Sequence, residues 1–163
     1  MPEQEWLAQL PTLYAAAAAL FTDQAGLVLL VKPNYRDHWQ LPGGILEHGE
    51  SPQAGCAREV GEEIGLSITA DRLLTIDWVA PDQVRPKPIV HFVFDGATLR
   101  PDQIERIVLQ REELDDYRFT GAYAPLVTPP IAARISASLN ARRSTGPSAY
   151  VPYALGSGSC RWE

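Results

Sequence analysis

The chain has 163 residues, enough for one domain, and its 14 Lys+Arg against 20 Asp+Glu leave a formal net charge of -6, which excludes the broad basic surface that polymeric nucleic acid demands. Hydrophobic residues at 45% and charged residues at 21% belong to a globular protein, and no apolar run of about 18 residues is present to cross a membrane. Two cysteines, Cys56 and Cys160, are too few for a disulfide framework, and Met1-Pro2-Glu3-Gln4-Glu5 carries no signal pattern, so a cytoplasmic location is expected.

In chain order, Trp6, Leu7 and Leu10 are the first apolar residues at helical spacing and predict a short lead-in helix between Pro2 and Leu10. The run Ala15 to Ala19 has helical propensity. However, Leu20-Phe21-Thr22 and Leu27-Val28-Leu29-Leu30-Val31 flank Asp23-Gln24-Ala25-Gly26, a glycine turn between apolar runs, so a hairpin is expected, with the alanines letting a helix pack closely on its first strand. Lys32 to Asp37 is a polar loop. There, Arg36, His38 and Trp39 are candidates to contact phosphate or base, and Trp39 has a core position under the loop as its alternative.

After the small-residue loop Leu41-Pro42-Gly43-Gly44, a helix is predicted from Pro52 to Ile64. Ser51 is a good N-cap, Pro52 suits the first helical position and Gly65 the left-handed C′ position. At roughly 100° per residue, Ala54, Ala57, Val60, Gly61 and Ile64 share one sector and Arg58, Glu59, Glu62 and Glu63 the opposite one. Cys56 falls near the edge of the acidic face as a small buried thiol, and His48 is a solvated loop residue.

Beyond the helix, Ile68 to Val79 carries strand-like runs, and a three-proline loop from Pro81 to Pro88 connects to Ile89-Val90-His91-Phe92-Val93-Phe94, a buried strand ended by Asp95-Gly96. His91 reads as a packed or hydrogen-bonded histidine. The chain is polar from Pro101 to Tyr117, with Ile107-Val108-Leu109 as a short strand. A last helix starts near Thr128-Pro129, with Ile131, Ile135 and Leu139 on one face and Arg142 and Arg143 complementing its C-terminal dipole. One domain over 1–143 is expected, followed by a tail, 144–163, with little helix or strand, either flexible or docked on the body or a partner through Tyr150, Val151, Tyr153 and Leu155.

The acidic face is the informative feature. Glu59 is three and four residues from Glu62 and Glu63, a spacing at which like charges destabilise a helix by a few tenths of a kcal/mol, about 0.2–0.5, and the last two acids oppose the macrodipole. Such a face next to a glycine loop, with Glu50 in addition and one arginine among the acids, provides the oxygen ligands that a hard divalent cation requires.

Gly44, Glu50, Arg58, Glu59, Val60, Glu62, Glu63, Gly65 and Leu66 fill every specified position of the Nudix box, Gx5Ex7REUxEExGU with U a bulky aliphatic residue. With Trp39-Gln40-Leu41-Pro42-Gly43 as a MutT-like lead-in, the chain resembles the Nudix hydrolase family. The resemblance implies an α/β (α+β) fold, an α/β/α sandwich in which a mixed sheet carries the loop and helix. It implies that Glu59, Glu62, Glu63 and the carbonyl of Gly43 hold Mg²⁺ or Mn²⁺, that Glu59 is also a candidate base for the attacking water, and that Arg58 and Glu50 are a supporting pair. A further acid is expected from a later loop, Glu113 with Glu112 and Glu105 as rivals, and substrate contacts from Arg36, Trp39, Gly44 and Glu50. The implied activity is metal-dependent cleavage of a nucleoside diphosphate linked to another moiety, or of a nucleoside triphosphate, by water attack on phosphorus; the competing reading is a nucleotide-binding sensor without turnover. The partner is a small phosphorylated molecule, with no polymeric nucleic acid and no membrane, and homodimers are common in the family.

Overall fold

The structure, a computed structural model, describes residues 2–144 and 149–153. Strand β1 (Tyr14–Thr22) is its spine. One edge of β1 pairs in parallel with β5 (Ile89–Thr98), from Tyr14 opposite Ile89 to Thr22 opposite Thr98. The other edge is shared. Near its end β1 meets β2 (Val28–Pro33) at Thr22 and Val28, and near its start β3 (Gly43–Ile45) lies antiparallel against Ala16 to Ala18. Between these contacts β1 and β2 part, and the chain from Gln40 to Pro42 fills the gap: Val31 N–H donates to Gln40 O and Ala19 N–H to Pro42 O, both at 2.9 Å.

Among the described residues the sheet has seven strands, ordered β6-β2-β1-β5-β4-β7, with β3 beside β1. β4 (Leu73–Val79) is antiparallel to β5; β6 (Leu114–Thr120) is antiparallel to β2; β7 (Ala149–Tyr153) is parallel to β4.

The alternation along β1 feeds two cores. Ala17, Ala19 and Phe21 pack with Cys56, Val60 and Ile64 of helix α2 (Pro52–Ile64). Leu20 on the opposite face packs with Leu30, Leu74, Val93 and Ile135, the last from helix α4 (Pro129–Arg143). Full burial of a Phe or Ile is worth about 1.5–3 kcal/mol, and the one-carbon side chains of Ala17 and Ala19 let α2 come close enough to bury both. The result is the expected α/β/α sandwich. Two short helices, α1 (Glu3–Leu7) and α3 (Pro101–Ile104), lie at its margins.

The hairpin turn is as the sequence predicts: Asp23 Oδ1 accepts Ala25 N–H at 2.9 Å and Leu27 N–H at 2.8 Å, and Gly26 takes φ 80. Several expectations are corrected. Asp95-Gly96 does not end β5 but forms a bulge between Leu20 and Phe21 of β1, where a Cβ on Gly96 would lie 2.5 Å from the Phe21 ring. Ile107 to Leu109 is not a strand; its backbone caps α2 instead. The strand in this region is β6, whose two adjacent aspartates and one arginine mask the alternation.

The buried stripe of α2 is Gly55, Cys56, Val60, Glu63 and Ile64, so Glu63 belongs to the inner face, while Ala54 and Gly61 are exposed. The lead-in helix forms, but Trp6, Leu7 and Leu10 stay 53%, 50% and 40% exposed. Arg142 does more than complement a dipole: it pairs with Asp95 at 2.6 Å and donates to Thr22 Oγ1 at 3.0 Å, tying α4 to β1 and β5. Of the tail expected to have little structure, Ala149–Tyr153 is strand β7; 145–148 and 154–163, with Leu155 and Cys160, lie outside the described residues.

Candidate active site

The loop–helix unit is assembled from its termini inward. Ser51 Oγ accepts Ala54 N–H at 3.2 Å, Pro52 follows it, and Gly65 closes the helix at φ 71 with its N–H on Gly61 O. Arg58 then offsets the crowded acids. Its Nε and Nη2 donate to the two oxygens of Glu50 at 2.9 and 3.0 Å, Nη1 to Glu59 Oε1 at 2.9 Å and Glu62 Oε2 at 3.1 Å, and Nη2 also to Ile45 O at 3.2 Å. This uses the guanidinium fork in full, which a point-charge ammonium could not do. The fork holds the Glu50 carboxyl below the usual carboxylate range, and Glu50 in turn accepts Glu47 N–H at 2.9 Å, bracing the loop.

Glu63 is only 3% exposed, and its Oε2 accepts the Gly43 N–H at 2.8 Å. Burial pushes its pKa up to about 8, against the Gly43 hydrogen bond and with the help of Glu59 and Glu113. Burial also raises Glu59, with Arg58 opposing. Glycine is required on the loop: a Cβ on Gly44 would lie 2.4 Å from Glu59 Oε1, and one on Gly43 2.2 Å from Ala17 O.

Glu113 arrives from the far side. The last turn of α2 leaves carbonyls without helical partners; Val108 N–H takes that of Ile64 and Gln110 N–H that of Glu63, each at 3.0 Å, and the turn from Gln110 places Glu113 beside the acids. Glu113 and Asn34 are further linked through Asn34 N–H on Glu113 O at 2.9 Å.

These groups open on a cleft of ≈ 640 Å³, a size suited to a whole small-molecule ligand. Gly43, Gly44, Glu59, Glu63 and Glu113 line it from the α2 side. From the α4 side it is lined by Arg134, Ile131, His91 and Arg85, over a floor of Ala16, Val79 and Ile89.

Of the residues singled out by sequence, Arg36 reaches the cleft and carries its guanidinium 5.5 Å from the Tyr35 ring. Trp39 does not line it; it packs with Leu20, Leu30 and Leu41 under the Arg118 guanidinium, 5.0 Å away, which is the core alternative. Glu50 braces Arg58, and Glu62, with its side chain 53% exposed, faces Arg58 at the helix surface. Glu112 and Glu105 do not line the cleft, whereas Glu113 does.

His38, a candidate from the sequence, lines the cleft, as does Arg85 of the three-proline loop; Arg134 as a liner was not anticipated, nor was the place of His91. One signal was available: Arg134 and Ser138 interrupt the inward face of α4 just as Asp77 and Thr75 interrupt β4. The pairs meet, Arg134 Nε on Asp77 Oδ2 and Thr75 Oγ1 with Ser138 Oγ, both at 2.7 Å. Burial pushes the Asp77 carboxyl up and the Arg134 guanidinium down, and their mutual attraction opposes both shifts.

Among the described residues no three His, Cys, Asp or Glu side chains already stand together as a metal-binding cluster. The donor set nevertheless suits a hard divalent cation. It consists only of oxygens, and Glu59 and Glu63 are both held above the ordinary carboxylate range by burial and by like charge, a cost that an added cation removes.

The family profile of the NUDIX domain matches residues 12–135. A MutT-like protein of Streptomyces ambofaciens is 38% identical over 64 residues, 39% of this chain and 42% of that protein. An 8-oxo-dGTP diphosphatase of Proteus vulgaris is 37% identical over 70 residues, 40% of this chain and 61% of that one. The chain thus spans about half the length of these curated relatives, 42% and 61%. Among solved structures, that of a UDP-X diphosphatase superposes with a TM-score of 0.70 at 21% identity, covering 92% of this chain and 76% of that one, a likeness of fold.

Proposed function

The chain belongs to the NUDIX family, whose domain matches residues 12–135, and on that premise we propose that it is a metal-dependent pyrophosphohydrolase acting on a nucleoside diphosphate linked to another moiety or on a nucleoside triphosphate. The observation that carries this reading is the convergence of Glu59, Glu63 and Glu113 with the glycine loop on one cleft. Glu59, Glu62, Glu63 and the Gly43 carbonyl would hold Mg²⁺ or Mn²⁺, which supplies Lewis-acid activation of water and neutralises pyrophosphate oxygens.

The chain's own groups divide the remaining work. Arg58 fixes the rotamers of Glu50, Glu59 and Glu62 at once. Because Arg58 engages Glu59 Oε1, Oε2 is the oxygen left to take the proton of an attacking water, and a carboxylate raised by burial is better matched to that task near neutral pH. Glu113 completes the carboxylate set from the turn before β6, on the same side of the cleft, and Arg36 would meet a phosphate as it enters. The domain spans 1–143, and 144–163 is a C-terminal tail that docks on the body through β7.

The test is product release from a panel of nucleoside triphosphates, nucleotide sugars, ADP-ribose, NADH and dinucleoside polyphosphates with Mg²⁺, Mn²⁺ or EDTA. Cation-dependent cleavage of at least one class is expected. Binding of a nucleotide without any cleavage across the panel would replace the hydrolase with a sensor.

A further inference from the structure

Arg134 is 8% exposed and sits over a row, Ala16, His91 and Asp77, that crosses β1, β5 and β4 in register. Its Nε is occupied by Asp77, yet neither terminal nitrogen has a hydrogen-bond partner among the described residues, although the side chain lines the cleft. His91, on the same wall, also has no hydrogen-bond partner among the described residues. Burial beside two guanidinium groups pushes its pKa down to about 2, so it presents a neutral ring. These open nitrogens belong to side chains that line the cleft, the space a ligand would enter, while the buried polar atom left without a partner beside them is an acceptor, Asp77 Oδ1.

Charge decides what kind of acceptor they face. The cleft is lined by Glu59, Glu63, Glu113 and Asp82, with Asp77 beneath Arg134, against the guanidinium groups of Arg36, Arg85 and Arg134. Arg134 is compensated by Asp77 at 2.7 Å and Arg85 lies 3.4 Å from Asp82. This wall therefore has N–H donors in surplus but no surplus positive charge, which favours a neutral acceptor over a second anion. The floor of Ala16, Val79 and Ile89 is apolar and suits a ring face.

We propose that Arg134 is a specificity-determining residue that reads the nucleobase, its fork donating to two adjacent acceptors on one edge of the ring. The inference rests on the reading of the cleft as a nucleotide site. Guanine offers such an edge in N7 and O6, and cytosine in N3 and O2; in adenine an amino donor stands beside N7, and in uracil an N–H separates the carbonyls. His91 completes the wall as a neutral hydrogen-bonding neighbour that adds no charge.

The experiment is titration of the metal-free full chain, by calorimetry or by NMR of the His91 imidazole, with guanosine, cytidine, adenosine and uridine, and with inorganic phosphate. Guanosine and cytidine are expected to bind about tenfold or more tighter than the other two, the scale of one bidentate base contact, with phosphate failing to displace them. Arg134→Lys keeps a charge opposite Asp77 but loses the fork, and should reduce the preference to near unity. If it does not fold, Asp77→Asn with Arg134→Gln removes both charges together and should do the same. Equal binding of the four nucleosides, displacement by phosphate, or a preference that survives in whichever variant folds would overturn the proposal. Base preference without hydrolysis of any nucleotide would sink the hydrolase reading alone, and hydrolysis without base preference would sink this one alone.

Discussion

Glu63 Oε2 and the Gly43 N–H stand 2.8 Å apart, joining the buried end of α2 to the glycine loop across twenty residues of chain. A carboxyl in that place serves as both a structural acceptor and an ionisable group, and the two roles respond differently to pH.

Glu63 titrates near 4.5 when exposed and at about 8 when folded, so between these values the folded state holds a proton that the unfolded state has released. Stability is then full below about pH 4.5 and falls as pH rises to about 8. Burial gives Glu59 the same sign, whereas Glu50, whose carboxyl is lowered, acts only below the ordinary carboxylate range. Below pH 6.5 the depressed His91 opposes this loss, since the unfolded chain takes up a proton there that the folded one does not, so thermal unfolding in EDTA should show a midpoint declining from about pH 6.5 to 8; Glu63→Gln should flatten the decline, and Mg²⁺ should raise the midpoint more at pH 8 than at pH 5.

Glu59→Gln removes a proton acceptor while leaving the side chain's volume intact. Turnover is expected to fall by about 10²–10⁴-fold, the range for loss of a general base, with circular dichroism and the unfolding midpoint little changed. Wild-type turnover in this variant would remove Glu59 from the chemistry.

Arg58→Lys trades five donors in a fixed fork for three on a flexible stem. The bidentate contact with Glu50 at 2.9 and 3.0 Å is lost. Because the Arg58 side chain is 24% exposed, the cost to stability is modest, about 1–2 kcal/mol, readable as a shift in denaturant midpoint. Turnover should fall further than stability does, since Glu59 and Glu62 lose their common anchor.

Two glycines of the loop should behave oppositely. Gly44→Ala puts a Cβ 2.4 Å from Glu59 Oε1 and so moves the carboxylate; activity should drop even where the protein folds. At Gly49, φ is +77 and a Cβ would meet nothing within 4 Å, so Gly49→Ala should cost about 1 kcal/mol from the left-handed backbone alone and spare turnover. Paired measurements of kcat and unfolding midpoint separate the two.

The loop and helix of the site were legible in sequence because their signals are local. Ser51, Pro52 and Gly65 fix the helix ends within a few residues of the acids they serve, and Asp23 and Gly26 fix the hairpin likewise. What escaped depends on distant partners. Glu63 looked outward by helical angle, and only the close approach of Gly43 makes its inward position tolerable. Ile107 to Leu109 has strand propensity, but the open carbonyls of α2 claim the N–H of Val108 and, just beyond, that of Gln110. Arg134 and Asp77 are each anomalous in an apolar face, and the anomaly becomes an ion pair only when α4 is laid on β4.

Strand β1 has one edge that can be completed only by β5, whose first partner pair joins Tyr14 to Ile89. During synthesis from the N-terminus, β2, β3 and α2 have all been made while that alanine edge still has no neighbour, and Glu113 is made later still. The local half of the site can therefore form early, but the cleft closes only after a pairing of high sequence separation, the kind of contact that slows folding. Between those two events the nascent chain carries an open strand edge, so the interval in which it is most prone to pair wrongly is the one just before its acids are brought together.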